Sequence, residues 1–280
     1  MKSTYKYKAY LRNLLWNAGL RRRRRPGRCE QLLAQFDVKV VLDVGANKGQ
    51  FARHLLRHGY CRRIVSFEPL SSAYGRLKVN AWNIKRWDTV NLALGSYDGT
   101  TEINVAGNSQ SSSFLNMLPA HVAAAPESAY VATEPVSVRK LDSIIDEHVA
   151  PDESCFLKLD VQGFEKQVLM GASNSLDRIT GIQLETSLVP LYQGETLFLE
   201  MLQLMADRGY NLVSLSDGFC DPVTQRLLQL DAIFYRGGTV TTRRVRPAFE
   251  IPADIRSVSQ TSFQRGHDGH RQFHKEHQHD

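Results

Sequence analysis

One strand-to-helix turn, Val41-Leu-Asp-Val-Gly-Ala-Asn-Lys-Gly-Gln-Phe51, restricts the fold of this 280-residue chain more than any other feature. Residues 38–44 form a short, nearly continuous apolar run, as a strand buried on both faces requires. Gly45 ends the run, and residues 49–57 read as a helix. The same succession recurs, with strands expected over 64–67, 89–94, 155–159, 179–184, 211–215 and 230–235. Helices are expected between them over 71–82, 141–148, 164–170 and 196–208. Repeated β-α-β units predict an α/β, Rossmann-like fold, a mostly parallel sheet with helices on both faces. Residues 102–105 and 135–138 are expected to pair as an inserted hairpin, with a polar, Ser-rich loop over 107–113 between them. That loop reads either as a gate on a ligand site or as a plain connector.

The turn itself carries chemistry. Gly45 can take backbone angles closed to other residues and lets a ligand approach the main chain, and Gly49 at the helix start permits a second close approach. The order is D-x-G-x-N-x-G, not the G-x-G-x-x-G that sets a pyrophosphate on a helix N-terminus. An acid before the glycines suits a ligand with an amino group and a sulfonium and no phosphate, as in S-adenosylmethionine (SAM). Asp43 ends the strand and can accept from such a cationic group or from ordered water. Glu68, in Phe67-Glu68-Pro69, closes the second strand 23 positions after Gly45, where an acid is placed to hold both ribose hydroxyls. Asn91-Leu-Ala-Leu-Gly-Ser96 follows, and its backbone and the Ser96 hydroxyl are candidates to border the adenine. The cofactor candidates are thus Asp43, Gly45, Asn47, Gly49, Glu68 and Ser96.

With Leu157-Lys-Leu-Asp-Val-Gln-Gly-Phe-Glu165 and Val168-Leu-Met-Gly-Ala172, these segments give a chain that resembles the FkbM family of SAM-dependent methyltransferases over roughly residues 36–236. The resemblance implies a class I methyltransferase sheet of seven strands, the last antiparallel. It implies methyl transfer, usually to oxygen, on natural products or sugars, and it marks Asp43, Gly45, Gly49 and Glu68 as cofactor contacts. The substrate-facing segments are less diagnostic of the acceptor.

Ligands of open α/β sheets sit outside the carboxyl ends of the strands, where strand order reverses. Asp43, Glu68, Asp160 and Glu185 all fall at or just past expected strand ends. Asp160 reads as a general base or acceptor-positioning group, or alternatively as a cap for the next helix. Glu185 reads as a group orienting a sugar hydroxyl, or as a solvated strand end. The two together would offer oxygen ligands to Mg2+, but no dedicated metal spacing accompanies them. His121 and His148 are further base candidates, with His121 expected in a surface loop.

Charge separates the chain into three parts. The net charge is +6, but residues 1–28 hold ten Lys or Arg and no acid, and residues 29–238 hold 18 basic and 24 acidic residues. Residues 1–30 read as a basic arm, either solvated or attached to an anionic membrane surface, residues 31–238 as the methyltransferase domain, and residues 239–280 as a disordered, polar tail. His267, His270, His274 and His277 in that tail have a 3-4-3 spacing that a helix would turn to one face. The acidic body argues against a nucleic-acid partner. Four scattered cysteines and the absence of any long apolar run point to a cytoplasmic protein, with peripheral contact at the inner membrane face through the arm. The expected function is O-methylation of a sugar, glycolipid or related secondary metabolite, the acceptor being a small or lipid-linked molecule. A silent SAM-binding module, or a methyltransferase of nucleic acid or protein, are the alternatives.

Overall fold

The computed structural model describes residues 26–237; the basic run Arg21 to Arg25 and the His-rich tail lie outside them. Seven strands form the main sheet: β1 (Val40–Val44), β2 (Arg63–Phe67), β3 (Trp87–Val90), β7 (Cys155–Leu159), β8 (Ile179–Ser187), β9 (Tyr210–Asp217) and β10 (Gln229–Arg236). Their order is β3-β2-β1-β7-β8-β10-β9. Strand β10 alone runs antiparallel to its neighbours β8 and β9. This is the expected α/β, Rossmann-like sheet of seven strands with the last reversed. Order reverses at β1, which pairs in parallel with β2 on one side and β7 on the other.

Period-2 alternation in β1 sends its side chains into two cores. Val40, Leu42 and Val44 join Leu157, Leu159, Ile182 and Leu184 on one face. Helices α5 (Leu141–His148), α6 (Glu165–Met170) and α7 (Phe198–Asp207) cover that face through Ile144, Ile145, Val168, Leu169, Met201 and Met205. Val41, Ile64, Phe156 and Tyr235 face the other way. Helices α1 (Arg28–Gln35), α2 (Gln50–Arg57) and α3 (Ser71–Ala81) cover them, α2 burying Ala52, Leu55 and Leu56 at helical spacing. Each such leucine contributes about 1.5–3 kcal/mol by leaving water. Helix α1 was not expected: Leu32 and Leu33 pack on the sheet and Glu30 is buried, so the packed body reaches back to Arg28.

The expected strand over 89–94 is two strands in different sheets. Strand β3 ends at Val90, and β4 (Ala93–Leu94) belongs to a small sheet of order β4-β6-β5. Asn91 makes the break, its amide donating to the Glu68 and Pro69 carbonyls at 2.9 Å each. Strands β5 (Gly99–Ala106) and β6 (Tyr130–Arg139) form the expected hairpin, antiparallel, with Thr101 opposite Val136. Between them His121 is in a short helix, α4 (Pro119–Ala124), and is buried against Tyr192 and Phe219. Its expected place in a surface loop is therefore corrected. Among the described residues no helix is long and apolar enough to cross a membrane.

Candidate active site at the strand ends

A cleft opens at the carboxyl ends of β1, β2 and β7. Gly45 and Asn47 form one wall, Glu68 to Leu70 a second, and Asp160 and Val161 a third. Leu92, Leu94, Ile103 and Phe114 supply an apolar lining, and Ser109, Gln110 and Ser112 of the hairpin loop complete it. Gly45 has φ 73°, and a Cβ there would stand 1.9 Å from the Asp160 carbonyl oxygen. Only glycine lets the first turn and the Asp160 segment close together. Asn47 also has positive φ, 47°, which asparagine tolerates better than most residues. Its amide donates to the Ser109 carbonyl at 3.0 Å and lies 3.2 Å from the Ser109 hydroxyl. The Ser-rich loop thus lies over the cleft as its roof. Ser113 adds a second tie, donating to the Gln162 carbonyl at 2.7 Å.

Glu68 is buried in the wall. Its carboxylate accepts from the Asn47 N–H at 2.7 Å and the Leu70 N–H at 3.0 Å. Burial pushes its pKa up to about 7 despite those two donors. A carboxylate has about four lone-pair sites, so two remain for a ligand.

Asp43 stands off the cleft. Register explains why, because Asp43 is level with Ser66 on β2 and Lys158 on β7. Its fully buried carboxylate accepts from the Ser66 hydroxyl at 3.0 Å and lies 3.4 Å from Lys158 Nζ. Trp87 extends the row by donating to Ser66 Oγ at 2.9 Å. Gly49 also stands off: its φ is 78°, and a Cβ would meet Trp87 at 2.5 Å and Leu77 at 2.8 Å. Close packing of the turn on α3, rather than ligand approach, requires that glycine. Ser96 lies outside the cleft lining, beside Gly95, whose carbonyl oxygen would be 1.9 Å from a Cβ on Gly171 after α6. Gly45, Asn47, Glu68 and Asp160 are the expected residues brought together on the cleft.

Asp160 heads the opposite end. Lys158 Nζ lies 3.1 Å from it, and the Gln162 amide donates to it at 2.9 Å. The same amide nitrogen reaches Glu185, which stands behind Gln162 and away from the cleft wall. Tyr192 donates to Gln162 Oε1 at 2.6 Å, so the amide is fixed from both sides. Burial opposes ionisation of Asp160, but Lys158 and the Gln162 hydrogen bond hold its pKa below the usual carboxylate range. Burial and the Asp160 charge push Glu185 well above that range. The pair therefore ionises at Asp160 first. Burial works against the charge on Lys158, but Asp160 and Asp43 outweigh it and raise its pKa, so it stays charged. The Lys158 ammonium contacts one oxygen of Asp160 and the Gln162 amide the other.

Lys158, Gln162 and Tyr192 were not read as site residues in the sequence. Lys158 had a signal, a lone charge inside an apolar strand. Tyr192 had none, since it reaches Gln162 from 30 positions away.

The sheet, its single reversed strand and the glycine turn with an acid at the next strand end define the class I methyltransferase type. The sequence profile described as the methyltransferase FkbM domain matches residues 43–212, and the chain belongs to that family. A 2-O-methyltransferase, NoeI, of Sinorhizobium fredii (strain NBRC 101917 / NGR234) is 26% identical over 172 residues, covering 59% of this chain and 70% of the relative. Among solved structures, M. capricolum TrmK with S-adenosyl-homocysteine matches at TM-score 0.42 and 6% identity, covering 76% of this chain and 70% of that one. Magnesium protoporphyrin IX methyltransferase of Synechocystis PCC 6803 with bound SAM matches at 0.42 and 8%, covering 74% and 77%.

Proposed function

We propose that this chain is a SAM-dependent O-methyltransferase whose acceptor is a hydroxyl of a sugar, glycolipid or related metabolite. The observation that carries the reading is the pairing of two carboxylates in one cleft, Glu68 at one end and Asp160, held ionised by Lys158, at the other. The residues fit SAM: Gly45 leaves open main chain, Glu68 keeps acceptor sites for a ribose diol, and Leu92, Leu94, Ile103 and Phe114 offer an apolar wall for a purine. A pyrophosphate fits poorly, because both acids would repel it. When bound, SAM supplies an electrophilic methyl group on a sulfonium.

The chain's own residues do the rest. Asp160 accepts the hydrogen bond of the incoming hydroxyl, orients its lone pair, and takes the proton as the oxygen loses it. Lys158 and Gln162 hold the Asp160 carboxylate in place. Glu185 tunes Asp160 from behind Gln162 and is a positioning residue. The hairpin loop, tied down through Asn47 and Ser113, excludes water. An oxygen acceptor is further supported by the relative named as a 2-O-methyltransferase. A Lys158 charge beside Asp160 makes Mg2+ unnecessary to this scheme. Contact of the basic arm with an anionic membrane would suit a lipid-linked acceptor.

Calorimetric titration of SAM into the full chain, with Glu68→Ala beside it, tests the reading. Saturable binding that Glu68→Ala weakens by about 1–3 kcal/mol is expected, as for a hydrogen bond to a charged group. Folded wild-type protein that does not bind SAM would sink the proposal. Binding without turnover on any hydroxylated acceptor would leave a silent SAM-binding module.

A further inference from the structure

A second cluster lies on the opposite side of the sheet from α5–α7, remote from the cleft. Glu30 of α1 is buried, with a side chain only 4% exposed. Neither of its carboxylate oxygens accepts a well-directed hydrogen bond. A buried carboxylate without aligned donors is costly unless something else compensates it. Two imidazoles approach it, both from α2 and its C-terminal cap. His54 Nε2 lies 2.9 Å from Glu30 Oε1, and His58 Nδ1 lies 3.7 Å from the same oxygen. The spacing of four residues puts both rings on one side of the helix, with centroids 4.2 Å apart. The three ligand atoms all lie within 4.8 Å of one another.

We propose that Glu30, His54 and His58 form a binding site for a divalent transition-metal ion that clamps α1 onto α2. Two imidazole nitrogens and one carboxylate oxygen are a ligand set that zinc and its neighbours accept, with a fourth position for water. The fourth position is available, because the His54 side chain is 55% exposed and stands at the edge of a groove that Arg28, Gln183 and Val213 also line. Cys29, next in the chain, is not a ligand. Its thiol points to Gln183 Oε1 at 3.6 Å. His58 Nδ1 also lies 2.9 Å from the His54 carbonyl, so binding moves the ring proton to Nε2 and gives up that contact. His54 and His58 carry the i, i+4 spacing that places two ligands together.

The test uses the full chain with His267, His270, His274, His277 and His279 all replaced by Gln, so that the tail cannot compete for metal. Zn2+ is titrated by calorimetry, Co2+ by its visible absorption, and thermal unfolding is followed with and without Zn2+. One Zn2+ per chain, a Co2+ spectrum of low coordination number and a rise in Tm of about 5 °C at a hundredfold excess over Kd are expected. All three should be lost in Glu30→Gln and in His54→Gln. His54 is half exposed, so His54→Gln decides the matter even if Glu30→Gln fails to fold. No stoichiometric Zn2+ binding, or binding that His54→Gln leaves unchanged, overturns the site.

Discussion

The two ends of the cleft are built from different materials. The end at β1 and β2 is made by the main chain. Gly45 cannot carry a side chain, and Asn47 and Leu70 hold Glu68 through their backbone N–H groups. The end at β7 and β8 is made by side chains. Lys158, Gln162, Glu185 and Tyr192 position Asp160 through one another. A main-chain device tolerates few residues at few positions, and so ties a site to one ligand shape. A side-chain network can be rebuilt around a different acceptor while the sheet stays the same. Under the proposed function, the end that would hold the cofactor and the end that would hold the acceptor should therefore respond to substitution in different ways.

The largest effect is expected at Asp160. Asp160→Asn keeps the shape and removes the proton acceptor, which should lower kcat by about 10²–10⁴. SAM affinity, measured by calorimetry, should change less than threefold. If instead SAM affinity collapses with kcat, the two ends are one unit and the contrast between them fails.

Lys158→Met comes next, and it probes the joint between the ends. Lys158 is the cation shared by Asp43 and Asp160. Removing it leaves Asp43 buried with only the Ser66 hydroxyl as donor. Breaking such a buried pair from one side costs about 3–5 kcal/mol, read by urea unfolding at pH 8. Adding Asp43→Asn should restore part of the loss, because the orphaned charge is gone. A double variant no more stable than the single one would mean that Asp43 does something other than balance Lys158.

The same contrast explains what was readable in the sequence. Gly45, Glu68 and the strand ends were legible because a backbone constraint leaves a residue type at a fixed spacing. Asp43 and Gly49 were legible as special, but their cause was not. The neighbours that claim them are Lys158, Ser66 and Trp87 on adjacent strands, and strand register is set only by the assembled sheet. Asp160 could be found because it closes an apolar strand. The Ser-rich loop that carries Ser109 was legible as a gate or connector, but Tyr192 could not be found, since it reaches the site from a loop whose path no local pattern fixes. Helix α1 was hidden by its place beside the basic run, where the charge pattern outweighed the two leucines that anchor it.

The smallest effect separates the ends by pH. Glu165, at the start of α6, accepts the Val161 N–H at 3.0 Å beneath the acceptor end, and burial raises its pKa to about 7. The folded chain thus holds this proton more tightly than the unfolded chain, whose carboxyl titrates near 4.3. Its contribution to stability is complete below about pH 4.3 and is lost as pH rises through about 7. Glu68, also raised to about 7, makes the same contribution at the cofactor end. Glu165→Gln keeps an acceptor for the Val161 N–H and removes the Glu165 titration. Its unfolding free energy should therefore fall less between pH 5 and pH 8 than that of the wild type, by about 2–3 kcal/mol. Because Glu68 and Glu185 keep their raised pKa values, some slope must survive, and saturating SAM should alter only that remainder. A variant with the full wild-type slope would mean that Glu165 does not titrate between pH 5 and pH 8, and a flat one that Glu165 alone carries the slope.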